Sequence, residues 1–175
     1  MPIVHVQPES VARRYPELEP PRPARPPGPA HPAPPPVSDD VARRSASVHG
    51  EGYMQWEGWQ HLDVAPPVRP QRGDTMIATT EQLDAWLRER EISDLLYTGF
   101  CTNLCILDSP AAMKAMRGLG YRCVILREAT MAVEFPDTLE TLMHTRAALQ
   151  YIEAWVGYSA RAADLRRALR EGVAR

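Results

Sequence analysis

Short apolar runs along the chain alternate with stretches in which apolar residues recur at helical spacing. The spaced stretches predict helices over 80–90, 138–149 and 162–170. The apolar runs predict strands at 3–7, 74–78, 95–98, 123–126 and 151–156. Strands that alternate with helices are typical of α/β proteins. We therefore predict an α/β fold, a three-layer sandwich around a mostly parallel, doubly wound sheet.

The helix predicted over 80–90 carries the clearest local signals. Thr79 and Gln82 have the spacing of a capping box, in which each side chain binds the backbone N–H of the other. An apolar stripe follows on one helix face, as expected of core residues. Its members are Leu83, Trp86 and Leu87.

A proline-rich stretch interrupts the chain between the first two predicted strands. Proline dominates from Pro20 to Pro36, and such a run enters neither a helix nor a central strand. We predict a single domain over 1–175 with a proline-rich insertion loop at 19–48. A solvated loop is favoured here over a docking site for a proline-binding module.

Three aromatic residues follow the insertion: Tyr53, Trp56 and Trp59. They are candidates for the wall of a small-molecule pocket. Aromatic side chains also pack against a sheet edge or a neighbouring subunit. The absence of a strong period in this segment favours the packing interpretation.

Composition narrows the classes of function. The net charge is −2 and the pI about 6.2, which gives no electrostatic support for nucleic acid or an anionic membrane as a partner. No apolar run approaches the ~18 residues of a membrane span. The three cysteines are an odd number, which argues against a disulfide framework and favours a reducing cytoplasm. The expected partner is a small-molecule substrate, with no cofactor.

Candidate chemistry lies where the strand at 95–98 ends. A glycine-containing turn follows it, and Cys105 falls where the turn becomes helix. The unpaired N–H groups at a helix start favour thiolate over thiol. Open α/β sheets place their active sites at the carboxyl ends of parallel strands. The alternative is that Cys101 and Cys105 are ordinary small buried residues, as most free cysteines are.

Pro110 complicates the helix that follows Cys105, because proline is costly inside a helix. One interpretation is a kinked helix that runs to about Arg117. The other is a single turn at Cys105 and a second helix that starts with Ser109 as N-cap and Pro110 at its first position.

The residues at 98–106, Thr-Gly-Phe-Cys-Thr-Asn-Leu-Cys-Ile, resemble the nucleophile segment of the isochorismatase-like cysteine hydrolases. That family includes nicotinamidases and N-carbamoyl amidases. Its pattern is a strand, Thr-Gly, two small or apolar residues, Thr, two variable residues and the nucleophilic Cys. The likeness continues through 120–130 and covers roughly 64–158. The resemblance implies an isochorismatase-like, Rossmann-like sheet.

The resemblance also implies roles for individual residues. Cys105 matches the nucleophile. Cys101 matches the residue that follows a non-proline cis peptide, so Phe100–Cys101 is the implied cis bond. The backbone N–H groups of Cys101 and Cys105 would form the oxyanion hole. Thr102 joins the three aromatic residues as a candidate for the substrate pocket.

Two catalytic residues that the resemblance implies are not evident. The family has an Asp on its first strand, but the strand at 3–7 resembles the second strand of the family, so the first strand is absent. The family has a Lys near the end of its third strand, where this chain shows Ala78-Thr79-Thr80. Lys114 is interpreted as a surface residue, because nine residues of helix would place it opposite Cys105.

The absent strand lies centrally in the family, between the second and fourth strands. Three alternatives follow: the strand at 3–7 pairs directly with the strand at 95–98, another chain fills the gap, or the recorded chain starts late. We favour a homo-oligomer, because it would cover an otherwise exposed edge.

Two classes of function remain. The first is a hydrolase that acts on a C–N bond of a small amide-type substrate through Cys105. The second is a catalytically inactive member that serves as a subunit or binds a small molecule. Redox use of Cys101 and Cys105 is a less favoured third, since the spacing is not Cys-x-x-Cys.

Overall fold

The computed structural model describes residues 1–23 and 61–173, together with positions 39 and 43. Most of the insertion loop predicted at 19–48 lies outside these residues. So do Tyr53, Trp56 and Trp59.

The described strands form two parallel sheets. In the first, β1 (Val4–Val6) pairs with β2 (Thr75–Ile77). In the second, β4 (Arg122–Met131) pairs on one side with β3 (Asp94–Phe100) and on the other with β5 (Tyr158–Ala160). Helices separate the strands along the chain, which confirms the α/β prediction.

Six α-helices lie in the described part of the chain. They are α1 (Glu9–Ala12), α2 (Thr80–Glu89), α3 (Cys105–Asp108), α4 (Met113–Gly118), α5 (Met143–Tyr151) and α6 (Ala162–Val173). A π-helical turn, Ile152–Val156, continues α5. Short 3₁₀ turns occur at Pro16–Leu18 and Pro66–Val68. In the ranges 1–23 and 61–173, no helix is long and apolar enough to cross a membrane.

One apolar core joins the two sheets. Val4 and Val6 of β1 pack against the same buried cluster as Leu95 and Tyr97 of β3. The predicted stripe of α2 belongs to that cluster, and Leu83, Trp86 and Leu87 are all buried. The capping box is also present: Thr79 Oγ1 accepts from the N–H of Gln82, whose Oε1 accepts from the N–H of Thr79.

The predicted strand at 151–156 is wrong. Leu149, Ile152 and Val156 are buried at three- and four-residue spacing, so this apolar run continues the helix instead. The helix ends at Gly157, and β5 starts directly after it. The β-branched residues Ile152 and Val156 lie on the buried face of the helix, whereas Tyr151 and Trp155 are exposed. A short run of aromatic and β-branched residues fits a strand as well as a helix, which explains the wrong prediction.

The predicted start of α5 at residue 138 is also wrong. The helix begins at Met143, because Leu142 adopts a left-handed conformation with φ of 51°. The carboxylate of Glu134 accepts hydrogen bonds from the N–H groups of His144 (3.1 Å) and Thr145 (2.7 Å). These bonds satisfy donors at the helix start, so the chain before Met143 turns away.

The helix after Cys105 is split in two, which removes the kinked-helix alternative. Its second part begins at Met113 with Ala112 at the cap position, not at Pro110 with Ser109 as N-cap. The Ser109 hydroxyl instead donates to the carbonyl of Cys105 at 2.5 Å. Ala111 has φ of 60°, so the chain changes direction between the two helices.

Direct pairing of the strand at 3–7 with the strand at 95–98 is not observed. Among the described residues, β1 pairs only with β2, and β3 pairs only with β4. Each therefore has one edge without a strand partner in the described chain.

Candidate active site

The candidate site lies in the turn between β3 and α3. The register of β3 with β4 shifts between Tyr97 and Gly99, and Gly99 has φ of 110°. A side chain is disfavoured at that angle, so glycine suits the turn. The next peptide bond, Phe100–Cys101, is cis. This is the bond for which the family resemblance implies a cis peptide.

Cys105 is the first residue of α3, and its side chain is exposed. Cys101 is 3% exposed and Cys123, in β4, is 2% exposed. All three cysteines are free. Cys105 is thus the cysteine that a substrate in solution reaches most easily.

The backbone between Cys101 and Cys105 folds into one tight turn. The carbonyl of Cys101 accepts from the N–H groups of Leu104 (3.3 Å) and Ile106 (3.1 Å). The N–H of Thr102 donates to the carbonyl of Met131 at 3.0 Å, which ties the turn to the end of β4.

Two polar side chains, the buried Thr102 and the half-buried Asn103, hold this turn in place. Thr102 is fully buried, and its hydroxyl lies 2.6 Å from that of Thr130, which in turn donates to the carbonyl of Gly99 at 3.0 Å. The carboxamide oxygen of Asn103 accepts from the N–H of Val133 at 3.0 Å. Thr102 therefore braces the turn from inside the protein. Sequence reasoning did not find the role of Thr130, since a single threonine in a strand gives no local signal of a distant partner.

The two backbone donors implied for the oxyanion hole have different surroundings. Among the described residues, no backbone carbonyl accepts from the N–H of Cys101 or of Cys105. The N–H of Cys105 instead faces the thiol of Cys101. A developing oxyanion would compete with that sulfur for the N–H of Cys105, and sulfur is the weaker acceptor.

Across the turn, Cys105 lies close enough to Cys101 to influence the ionisation of its thiol. Burial raises the pKa of the Cys101 thiol, and the neighbouring Cys105 thiol raises it further. The N–H groups of Cys105 and Leu104 act in the opposite direction, because they stabilise a thiolate. Burial is the largest effect, so the pKa of the Cys101 thiol is raised overall.

The only lysine of the chain, Lys114, pairs with an acidic and an aromatic side chain. Lys114 Nζ lies 2.8 Å from the carboxylate of Asp108 and 5.3 Å from the centre of the Tyr151 ring. Its side chain is 40% exposed, as expected of a surface lysine. Because α3 and α4 are separate helices, the helical-wheel argument that placed it opposite Cys105 no longer applies.

In the part of the chain that the structure describes, no group of three or more His, Cys, Asp or Glu side chains is arranged to hold a metal ion.

Two shallow clefts lie at the other end of the second sheet. One, of about 500 Å³, is lined by Arg122, Trp155 and Tyr158, and the other, of about 280 Å³, by Ser93 and its neighbours. The first adjoins the amino ends of β4 and β5 and the second those of β3 and β4, whereas Cys105 follows the carboxyl end of β3. Neither cleft includes Cys105.

Comparison with known proteins assigns the chain to a family. A family model described as the isochorismatase domain matches residues 58–156. This match covers more than half of the chain and includes the turn that carries Cys105. The protein therefore belongs to the isochorismatase family.

Solved structures agree with the fold. The chain is similar to a cysteine hydrolase from Pseudomonas syringae pv. phaseolicola 1448A, with 18% identity and a TM-score of 0.54 over 76% of this chain and 66% of that one. It also matches an isochorismatase-like hydrolase from Alkaliphilus metalliredigens, at 17% identity and a TM-score of 0.43 over 55% and 52% of the two chains.

A third match is the nicotinamidase/pyrazinamidase of Bacillus subtilis, at 21% identity and a TM-score of 0.38 over 50% and 46% of the two chains. This chain thus spans between about half and two thirds of the length of these relatives. No curated protein matches it.

Proposed function

We propose that this protein is a cysteine hydrolase that acts on a C–N bond of a small amide-type substrate. The observation that carries the proposal is the position of Cys105: an exposed, free cysteine at the first residue of α3, directly after the cis turn that ends β3. Family membership supports a cysteine nucleophile as the general chemistry.

The proposed reaction starts with attack of the Cys105 sulfur on the substrate carbonyl carbon. The carbonyl oxygen becomes an oxyanion, which the N–H groups of Cys101 and Cys105 stabilise as hydrogen-bond donors. The C–N bond then breaks, the amine takes a proton and leaves, and a thioester remains on Cys105. Water hydrolyses the thioester and restores the thiol. Tyr53, Trp56, Trp59 and Thr102 stay proposals for the substrate pocket.

The direct test is a screen of nicotinamide, N-carbamoyl amides and ureido compounds for release of ammonia or amine. Cys105→Ser is expected to lower kcat/KM by roughly a thousandfold or more, because the nucleophile itself is replaced. Cys123→Ala is the matched control, since Cys123 lies buried near the amino end of β4. Turnover that survives in Cys105→Ser and disappears in Cys123→Ala would contradict the proposal.

A second candidate is a catalytically inactive family member that binds a small molecule. The observation that favours it is the pairing of Lys114, the only lysine, with Asp108. Cysteine nucleophiles require a base and profit from a nearby cation. Binding of a compound from the same screen by calorimetry, with no turnover and no dependence on Cys105, would support this candidate over the hydrolase.

We also propose that the protein forms a homo-oligomer in the cytoplasm. Three apolar side chains beside the site are exposed in the single chain: Phe100 at 65%, Leu104 at 55% and Met131 at 43%. Burial of such a patch against a second copy is favourable. Sedimentation equilibrium is expected to give a multiple of the 19.6 kDa chain mass, and a single-chain mass at all concentrations would contradict this proposal.

A further inference from the structure

The turn before α3 holds a second sulfur that the proposed hydrolysis does not use. Cys101 is 3% exposed, whereas Cys105 is exposed at the surface. The Cys101 carbonyl binds the N–H groups of Leu104 and Ile106, so the chain turns back on itself between the two cysteines. Both the thiol and the N–H of Cys105 lie close enough to influence the Cys101 thiol. The sequence spacing alone did not favour this pairing.

We propose that Cys101 and Cys105 form a peroxide-sensitive redox pair, in which Cys105 is oxidised first and Cys101 closes an intramolecular disulfide. Exposure sets the order of events, because oxidation by a solute requires an accessible sulfur. Cys101 is shielded from solvent but adjoins the sulfur that peroxide reaches. Cys101 is therefore the resolving cysteine, the one that reacts with the oxidised Cys105 to form the disulfide.

The first step is attack of the Cys105 thiolate sulfur on one oxygen of hydrogen peroxide. An S–O bond forms, the O–O bond breaks, and the leaving hydroxide takes a proton to become water. In the second step the Cys101 sulfur attacks the sulfur of the resulting sulfenic acid. The S–S bond forms, the S–O bond breaks, and the hydroxyl group leaves as water with the proton of the Cys101 thiol. Two thiols are oxidised by two electrons, and one peroxide is reduced to two waters.

Cys123 is not an alternative partner for either sulfur. It lies opposite Leu95 in the register of β3 and β4, and Cys101 comes six residues after Leu95. At about 3.3 Å per strand residue, Cys123 and Cys101 are roughly 20 Å apart. The Cys123 thiol instead contacts the carbonyls of Met113 (3.6 Å) and Tyr121 (3.7 Å).

The disulfide would block the sulfur of the proposed nucleophile reversibly, and only this consequence rests on the proposed function. The pairing itself is measured on thiols, so its failure and that of the hydrolase proposal are distinguishable. A protein without hydrolase activity still forms the disulfide if the pairing is right.

The test uses the full chain, treated with hydrogen peroxide, then denatured in iodoacetamide and digested with trypsin. The positions of Arg and Lys put Cys101 and Cys105 together on peptide 91–114, and Cys123 on peptide 123–127. The expected result is a 91–114 peptide that is lighter by two hydrogen atoms and unalkylated, while 123–127 is alkylated. Treatment with dithiothreitol before digestion is expected to restore both thiols.

Two variants sharpen the result. In Cys101→Ala we expect a sulfenic acid on Cys105 that dimedone traps, followed by a gain of two oxygens that dithiothreitol does not reverse. Cys123→Ala is expected to behave as wild type. If Cys101→Ala does not fold, the wild-type peptide decides alone.

Three outcomes would overturn the proposal. One is a wild-type Cys105 that gains oxygen while Cys101 remains alkylated. The second is a disulfide between two chains, and the third is a 91–114 peptide that peroxide leaves with both thiols free.

Discussion

The two ends of the β3–β4 pair are built differently. At the amino end the register runs without interruption from Asp94–Arg122 to Tyr97–Ile125. At the carboxyl end the register jumps, since Gly99 pairs with Thr130, and β4 thereby gains extra residues. The amino end carries an ion pair between Asp94 and Arg122, whose side chains are 48% and 64% exposed. The carboxyl end carries a hydroxyl pair between the buried Thr102 and the half-buried Thr130.

The different interactions at the two ends indicate which contacts stabilise the conformation of the candidate site. Exposed ion pairs add little to stability, because water screens the charges. A buried hydroxyl that loses its partner is costly, since no water replaces the bond. The turn at Cys105 therefore depends on a few buried polar contacts with β4, and the regular end of the sheet depends on backbone pairing and packing.

Gly157→Ala tests the packing at the amino end and is expected to have the largest effect on stability. A Cβ at this position would lie 2.4 Å from the backbone carbonyl oxygen of Cys123, so β4 would have to move. We expect the free energy of unfolding to fall by about 1–3 kcal/mol in a denaturant titration. Gly118→Ala is the control, because a Cβ there meets nothing within 4 Å. Equal effects of the two substitutions would contradict the packing argument.

Thr102→Val tests the hydroxyl pair at the carboxyl end by removing its buried member. The change keeps the side-chain shape but removes the bond to Thr130, while Thr130 retains its bond to Gly99. We expect a loss of about 1–2 kcal/mol in the free energy of unfolding. The labelling rate of Cys105 by iodoacetamide should also change, because the turn that positions it loosens.

Thr98→Val is the matched control for that substitution. Thr98 lies in β3, four residues before Thr102, but is exposed, and its hydroxyl has no hydrogen bond within the described residues. A Thr102→Val protein as stable as this control, with an unchanged labelling rate, would show that the hydroxyl pair does not hold the turn.

Glu134→Gln tests the hydrogen bonds by which Glu134, just after β4, holds the start of α5. Their contribution to stability is expected to depend on pH. Burial alone would raise the pKa of Glu134. The hydrogen bonds from Thr145, Thr138 and His144 outweigh burial and lower the pKa from 4.5 to about 2. Because the folded-state pKa is depressed, the carboxylate stabilises the fold above pH 4.5, and this contribution is lost as the pH falls towards 2.

The measurement is the melting temperature of wild type and Glu134→Gln between neutral pH and pH 2. We expect the variant to melt lower at neutral pH and the difference to shrink as the solution is acidified. Glu140→Gln, at an exposed position, serves as control and should track wild type throughout. A difference in melting temperature between wild type and Glu134→Gln that stays constant with pH would contradict a stabilising role of the Glu134 carboxylate.

Local patterns predicted the elements whose signals lie within a few residues. Thr79 and Gln82 mark the start of α2 because both halves of a capping box are in one turn. The segment from Thr98 to Cys105 likewise marks the turn and the helix start from its own residues. The strand predicted at 151–156 fails for the opposite reason. Its apolar run fits either a strand or a buried helix, and only the contacts of Ile152 and Val156 with the core decide between them.

The sequence by itself determined the alternation of strands and helices, the position of Cys105 after a glycine turn, and the family to which the chain belongs. These features depend on residues close together along the chain, whose backbone preferences and spacing act locally. Tertiary structure alone decided that the hydroxyl of Thr102 contacts that of Thr130, that Glu134 binds N–H groups at the start of α5, and that Cys105 lies close to the Cys101 thiol. Such contacts depend on register and on the path of a turn, which are set when separate elements pack around one core.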